Sequence, residues 1–248
     1  GGDSSAPPPP ASTTGLVPAA PALGAVLYSD AAALRPAANG ATWTYAGTKT
    51  ACSTCAPTSY TTTTTQSAVS TSAGTTTATE TDSNSTDSGP ESTTLTIVSG
   101  GTVSQVPTTP VDYTGKGLPG YLRLTELRSP VQVGDQIVTL DQRYTDTAID
   151  YDRDGKTDTL DVAIYSRVIG QESVTLPGRG AVTAVRLDLW LVERVINSSN
   201  GAATTFQSTA TAWYAPGLGP IKQIVVNPND SATDNETIVE QLTATSGF

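Results

Sequence analysis

Apolar and polar residues alternate along most of the second half of the chain, and the clearest case is the segment 181–196. One face of this segment would carry Val185, Leu187, Leu189, Leu191 and Val195. The opposite face would carry Arg186, Asp188 and Arg194. A period of two over this length predicts a half-buried antiparallel strand. The same reasoning predicts strands at 41–48, 95–98, 121–127, 136–144, 159–169, 204–214, 221–226 and 237–243.

Only one short segment, Ala31 to Leu34, favours a helical turn, and turn-forming residues separate the predicted strands, as at Ser198-Ser199-Asn200-Gly201. The pattern therefore predicts an all-β fold. We expect a single curved antiparallel sheet or half-barrel with little helix, occupying residues 25–248 and preceded by an extended Pro-rich tether at 1–24.

The segment 58–94 admits two interpretations, because 23 of its 37 residues are Ser or Thr. Such a composition is typical of a disordered stalk. Threonine, however, is β-branched and a good strand former. Residues 60–66 and 75–81, separated by Ser72-Ala73-Gly74, fit a long polar hairpin inserted in the β domain. We favour the hairpin.

The first residues, with four prolines at 7–10, lack a core-forming pattern. They resemble the tether that follows the acylated cysteine of bacterial lipoproteins. That resemblance implies an extracytoplasmic protein, either attached to the outer membrane or cell surface through a lipid before Gly1 or simply secreted. We expect no other contact with a membrane.

Composition narrows the function classes. The chain has 248 residues with 13 basic and 23 acidic side chains, and its net charge of −10 excludes the basic footprint of a nucleic-acid binder. It has no histidine, which removes the usual general base and the Ser-His-Asp and Cys-His arrangements. A carboxylate enzyme could use Glu126, Glu172 or Glu193, but each is better interpreted as a solvated strand residue. We therefore expect a protein that is not an enzyme.

The two cysteines of the chain, Cys52 and Cys55, are three positions apart. The favoured interpretation is a small disulfide-closed turn in an oxidising compartment. A reactive dithiol and two free thiols are the alternatives.

One acidic segment has the spacing of a cation-binding loop. Its carboxylates occupy positions 1, 3, 5, 9 and 12, namely Asp150, Asp152, Asp154, Asp158 and Asp161, and Gly155 stands at position 6. Alternate side chains in a tight turn converge on one point, and glycine permits the sharp bend. The sequence predicts a structural Ca²⁺ site here, and the alternative is a solvated acidic turn.

The loop resembles both the EF-hand and the calcium loops of FG-GAP-type extracellular repeats. This resemblance implies side-chain ligands from the five aspartates, with Asp161 in the place of the usual glutamate, and a carbonyl ligand from Lys156. The flanking residues alternate with period two, so we expect the loop to join strands.

Three further motifs are Asn39-Gly-Ala-Thr-Trp43-Thr-Tyr45, Val174-Thr-Leu-Pro177-Gly178 and Trp213-Tyr214-Ala-Pro216-Gly217-Leu-Gly219-Pro-Ile-Lys222. They resemble the pattern of a broad group of bacterial envelope lipoproteins whose curved sheet is similar to the half-barrel of periplasmic lipoprotein carriers. Plain core packing is the other explanation for their aromatic residues.

Together these features predict a non-catalytic, extracytoplasmic structural or interaction protein with a structural Ca²⁺ site, as a candidate subunit of a surface assembly. Its partners would be other envelope proteins or further copies of itself. The alternative function is a carrier of a lipid or another apolar ligand in the concave face of the sheet. That face would be lined by Trp190, Val192 and their neighbours.

Overall fold

The structure is a computed structural model that describes residues 11–84, 91–107, 112–116, 123–229 and 234–248. One short 3-10 helix, η1 (Ala31–Leu34), lies where the sequence favoured a helical turn. The strands in chain order are β1 (Val26–Tyr28), β2 (Thr42–Thr50), β3 (Thr58–Ser72), β4 (Thr75–Asp82), β5 (Glu91–Val98), β6 (Thr102–Pro107), β7 (Leu124–Arg128), β8 (Val131–Gln132), β9 (Gln136–Tyr144), β10 (Thr159–Leu176), β11 (Gly180–Ile196), β12 (Ala203–Ala215), β13 (Gly219–Pro228) and β14 (Asn235–Ser246). The prediction of an all-β fold is confirmed. Within those ranges, no helix has the length and apolar character needed to cross a bilayer.

Twelve strands form one antiparallel sheet in the order β7-β6-β5-β4-β3-β2-β14-β13-β12-β11-β10-β9. Strands β2 to β7 make one six-stranded meander and β9 to β14 make another. The pairing of β2 with β14 joins the two meanders. The sheet curls into a nearly closed barrel, and Arg128 at the end of β7 donates to the carbonyl of Gln136 in β9 at 3.2 Å. The sheet is thus more closed than the half-barrel that was one form of the prediction.

The apolar side chains of the inner face form the main core around η1. Leu34 of η1 is fully buried and packs with Leu95 of β5, Leu127 of β7 and Leu187 of β11. The predicted alternation in β11 is confirmed, because Val185 and Leu187 are buried in this cluster. Helix η1 therefore fills part of the interior of the curled sheet.

The outer face of β10 and β11 is covered by residues of the predicted tether. Leu16 and Val17 pack on Ala163, Tyr165 and Val192. Just before them, the Thr14 hydroxyl donates to Asp141 of β9 at 2.6 Å. Residues 11–24 therefore lie on the folded body, and residues 1–10 fall outside the described ranges.

The described part of the Thr-rich segment contributes β3, β4 and the first residues of β5, which are integral strands of the large sheet. The hairpin of β3 and β4 reverses at Ala73 and Gly74, both with positive φ. On β3 and β4, Thr64, Glu80 and Asp82 point into the interior.

Two of the sequence motifs meet in space. The indole N–H of Trp43 donates to the carbonyl of Leu218 at 2.7 Å, and the Tyr45 hydroxyl donates to the carbonyl of Pro220 at 2.7 Å. Gly219 has a positive φ, and a Cβ there would lie 3.3 Å from Pro36 Cδ. The turn between β12 and β13 is therefore fixed against β2 and the segment that follows η1.

Candidate functional site

Two adjoining cavities in the interior of the curled sheet are lined by described residues. The first has a volume of about 250 Å³, and its lining includes Arg35, Glu80 and Glu126. The second has a volume of about 360 Å³. Thr64, Asp82, Gln223 and Glu240 line both cavities. Volumes of about 300–1,000 Å³ are typical of small-molecule sites, so this space is the candidate functional site.

A buried ion-pair network closes one end of the space. Arg35, the residue after η1, is 5% exposed and donates to both carboxylate oxygens of Glu80 at 2.7 and 2.6 Å. It also donates to Glu126 at 3.0 Å. Gln66 and Gln105 donate to the same two carboxylates at 3.0 and 2.7 Å. Burial by itself would raise the pKa of Glu80, but the Arg35 charge outweighs it and holds that pKa below its usual value.

The other half of the space contains carboxylates without such a cation. Asp82 of β4 accepts a hydrogen bond from the Thr64 hydroxyl at 2.6 Å. Glu240 of β14 accepts one from the Tyr60 hydroxyl at 2.7 Å. Burial raises the pKa of both groups, and the charge of Asp82 raises that of Glu240 further. Partial burial therefore makes the ionised forms of Asp82 and Glu240 less stable than they would be in water.

The contact between Tyr60 and Glu240 requires a glycine. The Tyr60 ring crosses over Gly47 of β2 to reach Glu240 on β14, and a Cβ at position 47 would lie 2.2 Å from the ring. Gly47 is buried beneath this ring, so the missing side chain at position 47 lets Tyr60 of β3 cross over β2.

The apolar part of the lining comes from β11 and β12. Leu187 and Leu189 of β11, with Ala210 and Ala212 of β12, face the cavity. The expectation that Trp190 and Val192 line the concave face is wrong. Both pack in the outer cluster under Leu16 and Val17. The period of two in β11 turns their side chains to the face opposite that of Leu187 and Leu189.

The three glutamates considered for a carboxylate enzyme lie in different places. Glu126 is in the Arg35 network and is 6% exposed, so the interpretation as a solvated residue is wrong for it. Glu172 accepts from Arg186 at 3.0 Å and from the Trp213 indole at 2.8 Å. Glu193 is half-buried, and burial raises its pKa.

The acidic loop joins β9 to β10, as expected from its flanks. Carboxylate oxygens of Asp150, Asp152 and Asp158 lie within 4.8 Å of one another. Asp158 is 2% exposed and accepts from the backbone N–H of Tyr151 at 2.9 Å and of Ser198 at 3.1 Å. Gly155 has a φ of +83°. The loop is therefore bent as predicted and is fixed against the turn that follows β11.

The other predicted ligands are arranged differently. Asp154 is exposed and accepts from the Ser199 hydroxyl at 2.6 Å and from the Lys156 N–H at 2.8 Å. Asp161 is fully buried in β10, where Arg143 of β9 and Arg194 of β11 donate to it at 2.8 and 3.0 Å. The structure thus groups Asp150, Asp152 and Asp158, whereas Asp161 pairs with two arginines.

Cys52 and Cys55 form a disulfide in the connection between β2 and β3. The backbone N–H of Ser53 inside this small ring donates to Asp234 at 3.1 Å. The structure therefore contains the disulfide-closed turn that was the favoured interpretation, and neither cysteine lines these two cavities.

No family model matches the chain, and no curated protein matches it. Solved structures show weak likenesses. A candidate lipoprotein of Parabacteroides distasonis has 13% identity and a TM-score of 0.46, with 84% of this chain and 97% of that chain covered. A candidate exported protein with a YmcC-like fold from Bacteroides fragilis has 10% identity and a TM-score of 0.43, with 84% and 98% covered. A LolA superfamily protein of Nitrosomonas europaea has 12% identity and a TM-score of 0.27, with 86% and 88% covered.

Proposed function

We propose that this chain is a non-catalytic extracytoplasmic binding protein that holds a small amphipathic molecule inside its curled sheet. The observation that carries this proposal is the interior space between the Arg35 network and the strands β3, β4, β13 and β14. The large sheet encloses this space, and the core around η1 does not fill it. The disulfide supports the compartment, because disulfides persist in oxidising environments.

The lining decides the character of the ligand. An entirely apolar molecule would cover Leu187, Leu189 and Ala210, but it would also remove water from Asp82 and Glu240 without replacing it. Burying a charge without a partner is costly. The proposed ligand therefore has both an apolar and a polar part, which modifies the alternative of a purely apolar cargo.

Native mass spectrometry of the protein isolated gently from its own source tests this function. We expect an additional small-molecule mass that is lost on denaturation. Ala210→Phe, which fills the cavity from β12, should abolish it, and Ala212→Leu is a milder filling variant. Thr211→Phe, the adjacent residue on the opposite face, is the matched control and should keep it. A wild-type protein without any bound molecule would contradict the proposed function.

The Ca²⁺ site is a separate part of the proposal and rests on the loop. The carboxylates of Asp150, Asp152 and Asp158 supply hard oxygen ligands of the type that Ca²⁺ prefers. Asp161 is left out of this ligand set because its oxygens accept from Arg143 and Arg194. The metal would fix the connection between β9 and β10, and a role in a surface assembly with other envelope proteins stays a prediction.

A further inference from the structure

The charges that line the interior do not balance. Four carboxylates line the first cavity, namely Glu80, Asp82, Glu126 and Glu240, and Glu91 lines the second. Among the described residues of the two linings, the cationic side chains are those of Arg35 and Lys222. The interior therefore has a surplus of negative charge.

Both cations are already engaged elsewhere. Arg35 is bound to Glu80 and Glu126. The Lys222 ammonium lies 5.3 Å from the centroid of the Trp213 ring, a cation–π distance. Over the described ranges, neither Asp82 nor Glu240 forms an ion pair. Glu91 is exposed, so Asp82 and Glu240 are the half-buried carboxylates in surplus.

Each surplus carboxylate has one neutral partner. Thr64 donates to Oδ1 of Asp82, and Tyr60 donates to Oε1 of Glu240. The second oxygen of each, Oδ2 and Oε2, accepts no hydrogen bond from the part of the protein that the structure describes. An ionised carboxylate can accept about four hydrogen bonds, so both groups have acceptor capacity left inside a cavity.

We propose that the interior cavity binds an organic cation, an ammonium group on an apolar body, with Asp82 and Glu240 as its charge partners. The inference rests on the proposed function and adds the chemical class of the ligand. The ammonium group donates to the free carboxylate oxygens. The apolar body lies along Leu189 of β11 and Ala210 of β12.

A metal ion fits this position less well. Ca²⁺ takes about six to eight oxygen ligands. Within the described ranges, the one group of three clustered metal-binding side chains is that of Asp150, Asp152 and Asp158 in the acidic loop. An ammonium group needs only two or three acceptors and tolerates an apolar surrounding. The cavity lining therefore favours an organic cation.

Three six-carbon probes of matched length test the charge preference by isothermal titration calorimetry at neutral pH: hexylamine, 1-hexanol and hexanoate. We expect hexylamine to bind at least 10-fold more tightly than 1-hexanol, and hexanoate to bind most weakly. Asp82→Asn and Glu240→Gln should each weaken hexylamine binding about 10-fold. The double variant should bind hexylamine and 1-hexanol equally.

Asp188→Asn is the matched control, since it removes one negative charge from the outer face of β11, where Asp188 is paired with Arg186. It should leave hexylamine binding unchanged. Equal binding of amine and alcohol to the wild type, preference for hexanoate, or no binding of any probe would overturn the cation preference. In those cases a bound molecule in native mass spectrometry would still leave the proposed function standing, so the two failures are distinguishable.

Discussion

Glu80 and Asp82 lie two residues apart on the same face of β4, yet their surroundings differ. Glu80 receives two hydrogen bonds from the Arg35 guanidinium, whereas Asp82 receives one from a threonine hydroxyl. Burial acts to raise the pKa of both, and only for Glu80 does a cation reverse the direction. The groups opposite a carboxylate, rather than its position in the strand, decide whether it stabilises the fold.

The comparison extends to the two halves of the interior. At the Arg35 end each polar group has its partner within the protein, and no side-chain nitrogen or oxygen is buried without one in the described residues. In the half with Asp82 and Glu240 the described residues supply hydroxyl donors, from Thr64 and Tyr60, and no ion pair. The first half is therefore an internally paired network, and the second is the proposed binding site.

The largest change in the free energy of unfolding should come from removing Arg35, the cation that pairs with Glu80 and Glu126. Arg35→Met leaves Glu80 and Glu126 buried without a counter-charge, and breaking a buried ion pair in this way costs about 3–5 kcal/mol. Urea unfolding followed by circular dichroism measures this loss. Arg179→Met, at an exposed turn, should change the free energy of unfolding by less than about 0.5 kcal/mol. A loss below about 1 kcal/mol for Arg35→Met would show that the network does not stabilise the fold.

The acidic loop offers a third arrangement, in which the proposed counter-charge is a metal. If Ca²⁺ is present at about 100 times its dissociation constant, it stabilises the folded state by about 2.7 kcal/mol. We expect EGTA to lower the melting temperature by roughly 5–10 °C for a chain of this size. Asp150→Asn should abolish this difference.

Asp161→Asn is the informative control for the loop. It should lower stability by disturbing the pairs with Arg143 and Arg194, but it should keep the full response to EGTA. A wild-type melting temperature that is indifferent to EGTA would argue against the calcium site.

The two neighbours on β4 should respond to neutralisation with opposite signs. Glu80→Gln removes charged hydrogen bonds to Arg35 and should destabilise the protein by about 2 kcal/mol. Asp82→Asn removes a partly desolvated charge and should stabilise the ligand-free protein by about 1 kcal/mol. Chemical unfolding of both variants at neutral pH measures the difference, and the same sign for both would refute the comparison.

The smallest effect concerns pH. The folded-state pKa values of Asp82 and Glu240 lie above the ordinary values of 3.8 and 4.5. Ionisation of these two groups therefore destabilises the folded protein at neutral pH, and this destabilisation disappears as the pH falls to those ordinary values. We expect the stability gain of the Asp82→Asn/Glu240→Gln double variant, about 1 kcal/mol for each site, to vanish over this range.

Glu80 provides the internal contrast for that titration. Its folded-state pKa is lowered, so its stabilising contribution is present above the ordinary value of 4.5 and is lost as the pH falls through the lowered value. Unfolding experiments on Glu80→Gln over the same pH range should therefore show a deficit that persists after the double variant has lost its advantage. Parallel pH profiles for the two sites would contradict the assignment.

The alternation of side chains predicted the fold because a period of two survives in β11, where one face is apolar. In β3 and β4 the inner face carries Thr64, Gln66, Glu80 and Asp82, so hydrophobicity gave no signal there. Only the strand propensity of threonine indicated a hairpin. Nothing local in the sequence shows that this polar face lines an interior.

The sequence predicted only some of the residue groupings that the structure contains. The spacing of the acidic loop predicted the grouping of Asp150, Asp152 and Asp158, because local turns bring alternate residues together. It failed to anticipate that Asp161 pairs with arginines from two neighbouring strands. The Arg35 network joins residues 45 and 91 positions apart, and such contacts depend on a topology that one sequence does not reveal.

The pairing of β2 with β14 has a consequence for how the molecule is made. Residues 42–50 hydrogen-bond to residues 237–246, almost two hundred positions later in the chain. Ordering so long an intervening segment delays such contacts during folding. Each meander can form from neighbouring hairpins, but their union waits for the final strand, so the interior space becomes enclosed only in the last step of assembly.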